Sequence, residues 1–188
     1  MKITYNAPFT LTFTLIATAI HAFPQDFTKS FFAVGNTMDF GNPVDYFRLF
    51  SHALGHANWN HLFGNLSLIL ILGPILEEKY GTQMLALMSF ITALVTGILN
   101  VAFMNTGLYG ASGIVFMMIL LSSFTNMKAK AIPATFILVL VLFLGKEVMN
   151  SFEANNVSQF AHILGGILGS IFGFVMHNKV PTKSNTSV

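Results

Sequence analysis

The chain has no cysteine, a single tryptophan and very little charge. The missing cysteines exclude disulfides, thiolate zinc sites and cysteine nucleophiles. They carry no information about redox compartment. Only 9% of the 188 residues are charged, against about 25% in a typical soluble domain. The net charge of +2 is small and its basic residues are scattered, which excludes a nucleic-acid surface. Carboxylates are scarce as well: seven in all, each in a loop or at a helix end. No cleavable leader is expected, since the first apolar run lacks a small-residue cleavage site and more apolar runs follow.

What is abundant is apolar. Hydrophobic residues make up 54% of the chain, with mean hydropathy +0.68. Six apolar runs, at 8–23, 57–76, 83–104, 112–126, 132–149 and 158–177, predict an all-α membrane protein. Pro24, Gly35, Gly41, Asn42-Pro43, Gly81, Asn105 to Gly107 and Asn155-Asn156 punctuate the loops. One membrane domain is expected over 1–178, with a polar tail at 179–188. With the N-terminus inside, Lys2, Lys79, Lys128, Lys130, Lys179 and Lys183 fall on the inner side. The outer side holds Lys29, Arg48 and Lys146. The positive-inside rule therefore predicts both termini in the cytoplasm.

The fourth run is short. Fifteen residues at about 1.5 Å each give roughly 22 Å, less than the ~30 Å of a hydrocarbon core. It opens on Gly110-Ala111-Ser112-Gly113. Ser112 is thus expected below the membrane surface, preceded by irregular backbone. Such backbone is tolerated only in protein or beside a wet cavity. A serine at a helix start, between glycines, has free N–H groups beside it for an oxyanion. Alone, it reads as an ordinary packing serine that bonds to backbone.

His162, in Ala161-His162-Ile163-Leu164-Gly165, is the candidate base. Gly165, Gly169 and Gly173 follow at helical spacing on its face, which suits close approach by another helix. An incidental histidine on a packing stripe is the plainer reading. An ionisable group inside a membrane span weighs against it. With no carboxylate in a membrane core, a Ser112–His162 dyad is the economical arrangement. Phe116, one turn after Ser112, is placed to stack on the imidazole. His61 and Asn65, at i and i+4, can both donate to an oxyanion. His52 and His56 have the spacing of metal ligands, but no acidic ligand accompanies them; they read as polar residues at an interface. No metal and no cofactor is expected.

These motifs resemble those of the rhomboid family of intramembrane serine proteases, over about Phe47 to Val175. His61-Leu-Phe-Gly-Asn65 is similar to the family's oxyanion motif, and His56 to an earlier histidine. Gly110-Ala111-Ser112-Gly113 is similar to its nucleophile motif, and Ala161-His162-Ile163-Leu164-Gly165 to its base motif. A family glutamate corresponds to Glu77 or Glu78, ahead of Gly81. Phe47-Arg48 stands where the family often has Trp-Arg, and Phe116 where it commonly has tyrosine. The resemblance implies a six-transmembrane-helix bundle whose short fourth helix carries the serine. It implies an endopeptidase of the bacterial inner membrane, cutting single-span or other membrane-protein substrates in the lipid bilayer. Two rivals remain: an inactive relative that binds membrane clients, and a transporter or channel lined by the polar residues.

Overall fold

The computed structural model describes residues 2–125, 132–145 and 159–177. Among these residues the only regular elements are helices, apart from one isolated antiparallel bridge between Val34 and Leu108. In chain order they are α1 (Pro8–His21), α2 (Gln25–Phe32), α3 (Pro43–Ser51), a 3-10 turn (His52–Leu54), α4 (Trp59–Tyr80) and α5 (Thr82–Phe103). They continue with α6 (Ser112–Ser122), α7 (Ala134–Val139), which runs into a π-helical turn (Leu140–Leu144), and α8 (Gln159–His177).

Three helices, α4, α5 and α8, are long and apolar enough to cross a bilayer. The chain is an integral membrane protein. The other apolar helices, α1, α6 and α7 with its π turn, are shorter. Of the six expected runs only the fourth was expected to be short; the described helices of the first and fifth are short as well. The fourth run ends at Ser122 rather than at 126. Ser122 Oγ bonds the Ile119 carbonyl at 2.7 Å and Thr125 Oγ1 the Ser122 carbonyl at 2.8 Å. These hydroxyls compete with the helix ladder, and the chain leaves it in tight turns. The fifth run, expected over 132–149, starts after Pro133, and its residues 146–149 lie outside the described set, as does the 179–188 tail. Lys128, Lys130, Lys146, Lys179 and Lys183, which carried most of the orientation argument, lie outside it too.

α6 is the centre of the bundle. Every residue from Gly113 to Leu121 is buried. A helix apolar all round has no face for solvent or lipid, so neighbours must surround it. α8 packs along it, and the contact is backbone to backbone. A Cβ placed on Gly165 would lie 2.0 Å from the Gly113 carbonyl oxygen, and one on Gly169 2.3 Å from that of Met117. The glycine stripe of α8 therefore faces α6. Farther along, Gly173 rests on the Phe124 ring.

α1 is fastened at its start. The Glu77 carboxylate, buried in the last turn of α4, accepts from Phe9 N–H at 3.1 Å and Thr10 N–H at 2.8 Å. It also accepts from the Thr10 hydroxyl at 2.6 Å and the Thr82 hydroxyl at 2.8 Å. A carboxylate at a helix N-terminus satisfies donors the helix itself cannot. Of the two glutamates considered, Glu77 is the one that makes these bonds.

The segment between α1 and α4 was expected to be loop and holds two helices. Asn42 caps α3 by accepting from Val44 N–H at 3.0 Å, and Pro43 is its first residue. Arg48 lies 2.5 Å from Asp45 and donates to the Ser30 carbonyl, joining α3 to α2. This segment also holds the chain leading to Ser112. Val34 and Leu108 exchange both N–H···O bonds at 3.0 Å, and the Tyr109 hydroxyl donates to Thr28 Oγ1 at 2.8 Å.

Candidate active site

Ser112 is the first residue of α6, after Ala111 at the N-cap position. The N–H groups of Ser112, Gly113 and Ile114 therefore have no partner within the helix. The approach to it is specified by backbone geometry. Gly110 has φ 141°, which excludes most side chains, and its Cα faces the His61 ring, 2.6 Å from where a Cβ would sit. Gly110 N–H donates to the His52 carbonyl at 3.0 Å, and Ala111 N–H points at His56 Nε2 at 3.4 Å.

His52 and His56 were expected as interfacial groups; instead they are buried beneath the chain that leads to the serine. His52 Nε2 donates to the Ala93 carbonyl of α5 at 3.0 Å. Burial pushes the His52 imidazole down to about 4, and burial together with repulsion from His61 pushes His56 down to about 3. Both are neutral near pH 7, so they act as hydrogen-bonding wedges rather than charges.

The structure brings the other predicted residues together around one cavity of about 650 Å³. Ser112 and Phe116 of α6, His162 of α8, and His61 and Asn65 of α4 all line it. Phe116 stacks flat on His162, with ring centroids 4.4 Å apart and 9° between planes. Phe143, from the π-helical turn, meets the outer edge of Phe116 at 6.1 Å. The stack holds the imidazole plane by ring-to-ring contact. Asn65 is buried, and its Nδ2 finds no hydrogen-bond acceptor among the described residues. An unpartnered amide donor at a cavity wall costs free energy unless something in the cavity accepts from it. Gly113 lies against the Ala161 carbonyl and Gly165 against Gly113, so the two glycines set the spacing between the serine and histidine helices. Among the described residues no group of three or more His, Asp or Glu could hold a metal ion.

The rhomboid domain model matches residues 43–179. The chain belongs to the rhomboid family. It is similar to the rhomboid protease GlpG of Haemophilus influenzae, at 25% identity over 134 residues covering 70% of each chain. It is also similar to the chloroplastic rhomboid-like protein 11 of Arabidopsis thaliana, at 28% identity over 145 residues. That match covers 69% of this chain and 51% of the relative, so this chain spans about half of that protein's length.

Sequence reasoning missed the placement of His52 and the Phe143 contact. Both depend on elements distant in sequence. For His52 the local signal is its spacing from His56, which by itself points only to a metal-ligand pair or to polar residues at an interface.

Proposed function

We propose that this rhomboid is an intramembrane serine endopeptidase working through a Ser112–His162 dyad. The observation that supports it best is the single cavity shared by Ser112, His162, His61 and Asn65, with the imidazole stacked on Phe116. In this reading Ser112 Oγ attacks the carbonyl carbon of a substrate peptide bond while His162 takes the hydroxyl proton. The negative oxygen of the tetrahedral intermediate is met by Asn65 Nδ2, His61 and the Ser112 N–H. His162 then returns the proton to the leaving amine as the C–N bond breaks. Water, deprotonated by the same imidazole, attacks the acyl-enzyme and releases the second product. A peptide bond inside a helix is shielded by its own hydrogen bonds, so the substrate must unwind locally. Small or helix-breaking residues near the cut favour this. No cofactor enters the scheme.

The same reading includes six membrane passes over 1–178, with α1, α6 and α7 as the short ones. It includes cytoplasmic termini, a cavity open to the outer side and a place in a bacterial inner membrane. Substrates are single-span or other membrane proteins.

The test is direct. A fluorophosphonate probe should label the wild-type protein, and Ser112→Ala should lose both labelling and cleavage of single-span substrates in liposomes while keeping its thermal stability. Proteolysis by the alanine variant would rule out the mechanism. Failure of the wild type to react with any probe would favour the inactive, client-binding alternative.

A further inference from the structure

A second cavity, of about 240 Å³, lies on another side of α6 and shares no lining residue with the first. One wall is a face of α1, with Phe9, Phe13 and Ile16 at helical spacing. The opposite wall is a face of α5 built from small residues, Ala86, Ser89 and Ala93. Ile114 of α6 is its buried floor, and Phe50 and Ala53 close one end. No charged residue lines it.

The small residues of α5 continue to Gly97, where a Cβ would sit 2.1 Å from the Leu49 carbonyl. There the stripe is covered by α3. At Ala86 and Ser89 it borders the cavity instead. Ser89 is unusual on this helix. Thr92 and Thr96 bond back to carbonyls one turn earlier, at 2.8 Å each. Ser89 Oγ is buried with no hydrogen-bond partner among the described residues. The mouth is flanked by Ile16 and Phe90, 43% and 46% exposed, in a helix pair whose outer surface meets lipid.

We propose that this cavity seats one phospholipid acyl chain, lying lengthwise between α1 and α5. The walls run two helical turns, about 10 Å. A helix, roughly 10–12 Å across with its side chains, does not fit in 240 Å³. Two hydroxyls line it, those of Thr12 and Ser89. Thr12 Oγ1 is already bonded to the Tyr5 hydroxyl at 2.9 Å, which leaves water too few free polar partners among otherwise apolar walls. A free fatty acid would bring a carboxylate to a site with no cation, so the chain enters tail-first from a membrane phospholipid. Once seated, it packs against Ala53 and Ala93. The Ala93 carbonyl holds His52, and the His52 carbonyl holds Gly110 N–H. The lipid therefore braces the framework behind Ser112 from the side opposite the substrate.

The experiment uses the full chain in phosphatidylethanolamine–phosphatidylglycerol vesicles with a tracer phosphatidylcholine bearing an acyl-chain diazirine. After irradiation, labelled positions are mapped by mass spectrometry. Ser89 and Ala93 are buried from surrounding lipid, so several-fold more label there than at Leu85 or Ile119, which are also buried but do not line the cavity, supports the seat. Label on α5 confined to exposed Leu87 and Ile98 overturns it. Ala86→Leu and Ser89→Leu narrow the cavity and should abolish the Ser89 and Ala93 label while sparing Ile71 and Leu138. Retention of the cavity label in a filled variant also overturns the assignment. An excess of unlabelled fatty acid that displaces the tracer as well as phospholipid does would refute the phospholipid source. Should the variants not fold, the wild-type pattern decides alone. Because the readout is labelling and not proteolysis, the result is independent of the proposed dyad.

Discussion

Gly165→Ala adds one methyl group at the contact between the serine and histidine helices. The new Cβ would start 2.0 Å from the Gly113 carbonyl oxygen and 2.9 Å from its carbon. Ordinary contact begins at 3.4 Å, so α8 must retreat by about 1.4 Å (3.4 minus 2.0). The obstacle is backbone, which cannot rotate away as a side chain could. Gly113 directly follows Ser112, and Gly165 lies one turn from His162, so the displacement falls between nucleophile and base. Misplacement by about 1 Å can cost roughly 10²-fold in rate. Overpacking of this kind costs about 1–3 kcal/mol of stability, enough to lower the melting temperature without unfolding the bundle. Turnover of a fluorogenic transmembrane peptide, measured with thermal unfolding in the same detergent, separates the two effects. The expected result is a loss of at least about 10² in kcat with the protein still folded. Ile167→Val, on an exposed face, should be neutral. Wild-type turnover in Gly165→Ala would mean that this contact does not set the catalytic spacing.

Asn65→Ala should retain a folded protein and lose about 10²–10³ in kcat, the usual cost of one oxyanion donor; unchanged kcat would remove Asn65 from that role. Glu77→Ala should leave the first turn of α1 without its acceptor. Each hydrogen bond to a charged group is worth about 1.5–3 kcal/mol, so a melting temperature equal to wild type would refute the cap. His52 and His56 have folded values below the ordinary 6.5, so their contribution is intact above pH 6.5. It is lost as pH falls toward about 4, because the unfolded chain takes up protons first. Thermal melts between pH 7 and pH 4 should show this fall, and His52→Asn should flatten it.

The motifs around Ser112, His162, His61 and Asn65 were legible because their local spacing already implies helix faces. The glycine stripe of α8 was legible for the same reason. Helices α2 and α3 were not, although two signals were present. Asn42-Pro43 is a cap followed by a first-turn proline, but in sequence the same pair reads equally as loop punctuation. Phe23, Phe27 and Phe31 recur every fourth residue, and their tilted rings meet with centroids 5.3 and 5.1 Å apart. Eight or nine residues give too little periodicity to outweigh flanking turn residues. The burial of His52 beneath Gly110 depends on α5 supplying an acceptor 41 residues away, and local spacing holds no record of that. Phe174 lies edge-on to Phe124 at 4.8 Å and to Phe136 at 5.7 Å. It is not a tolerant position.

The helix that completes the contact with α6 is the last of the described helices, and this has a consequence during synthesis. Ser112 leaves the ribosome fifty residues before His162. At about 5–20 residues per second, that is roughly 2.5–10 s. Throughout this interval the serine is present without the imidazole of the proposed dyad, and the side of α6 reserved for Gly165 and Gly169 is open. On the proposed mechanism a growing chain would therefore be inert toward neighbouring nascent membrane helices, and cutting has to wait until α8 has been made and has packed against α6.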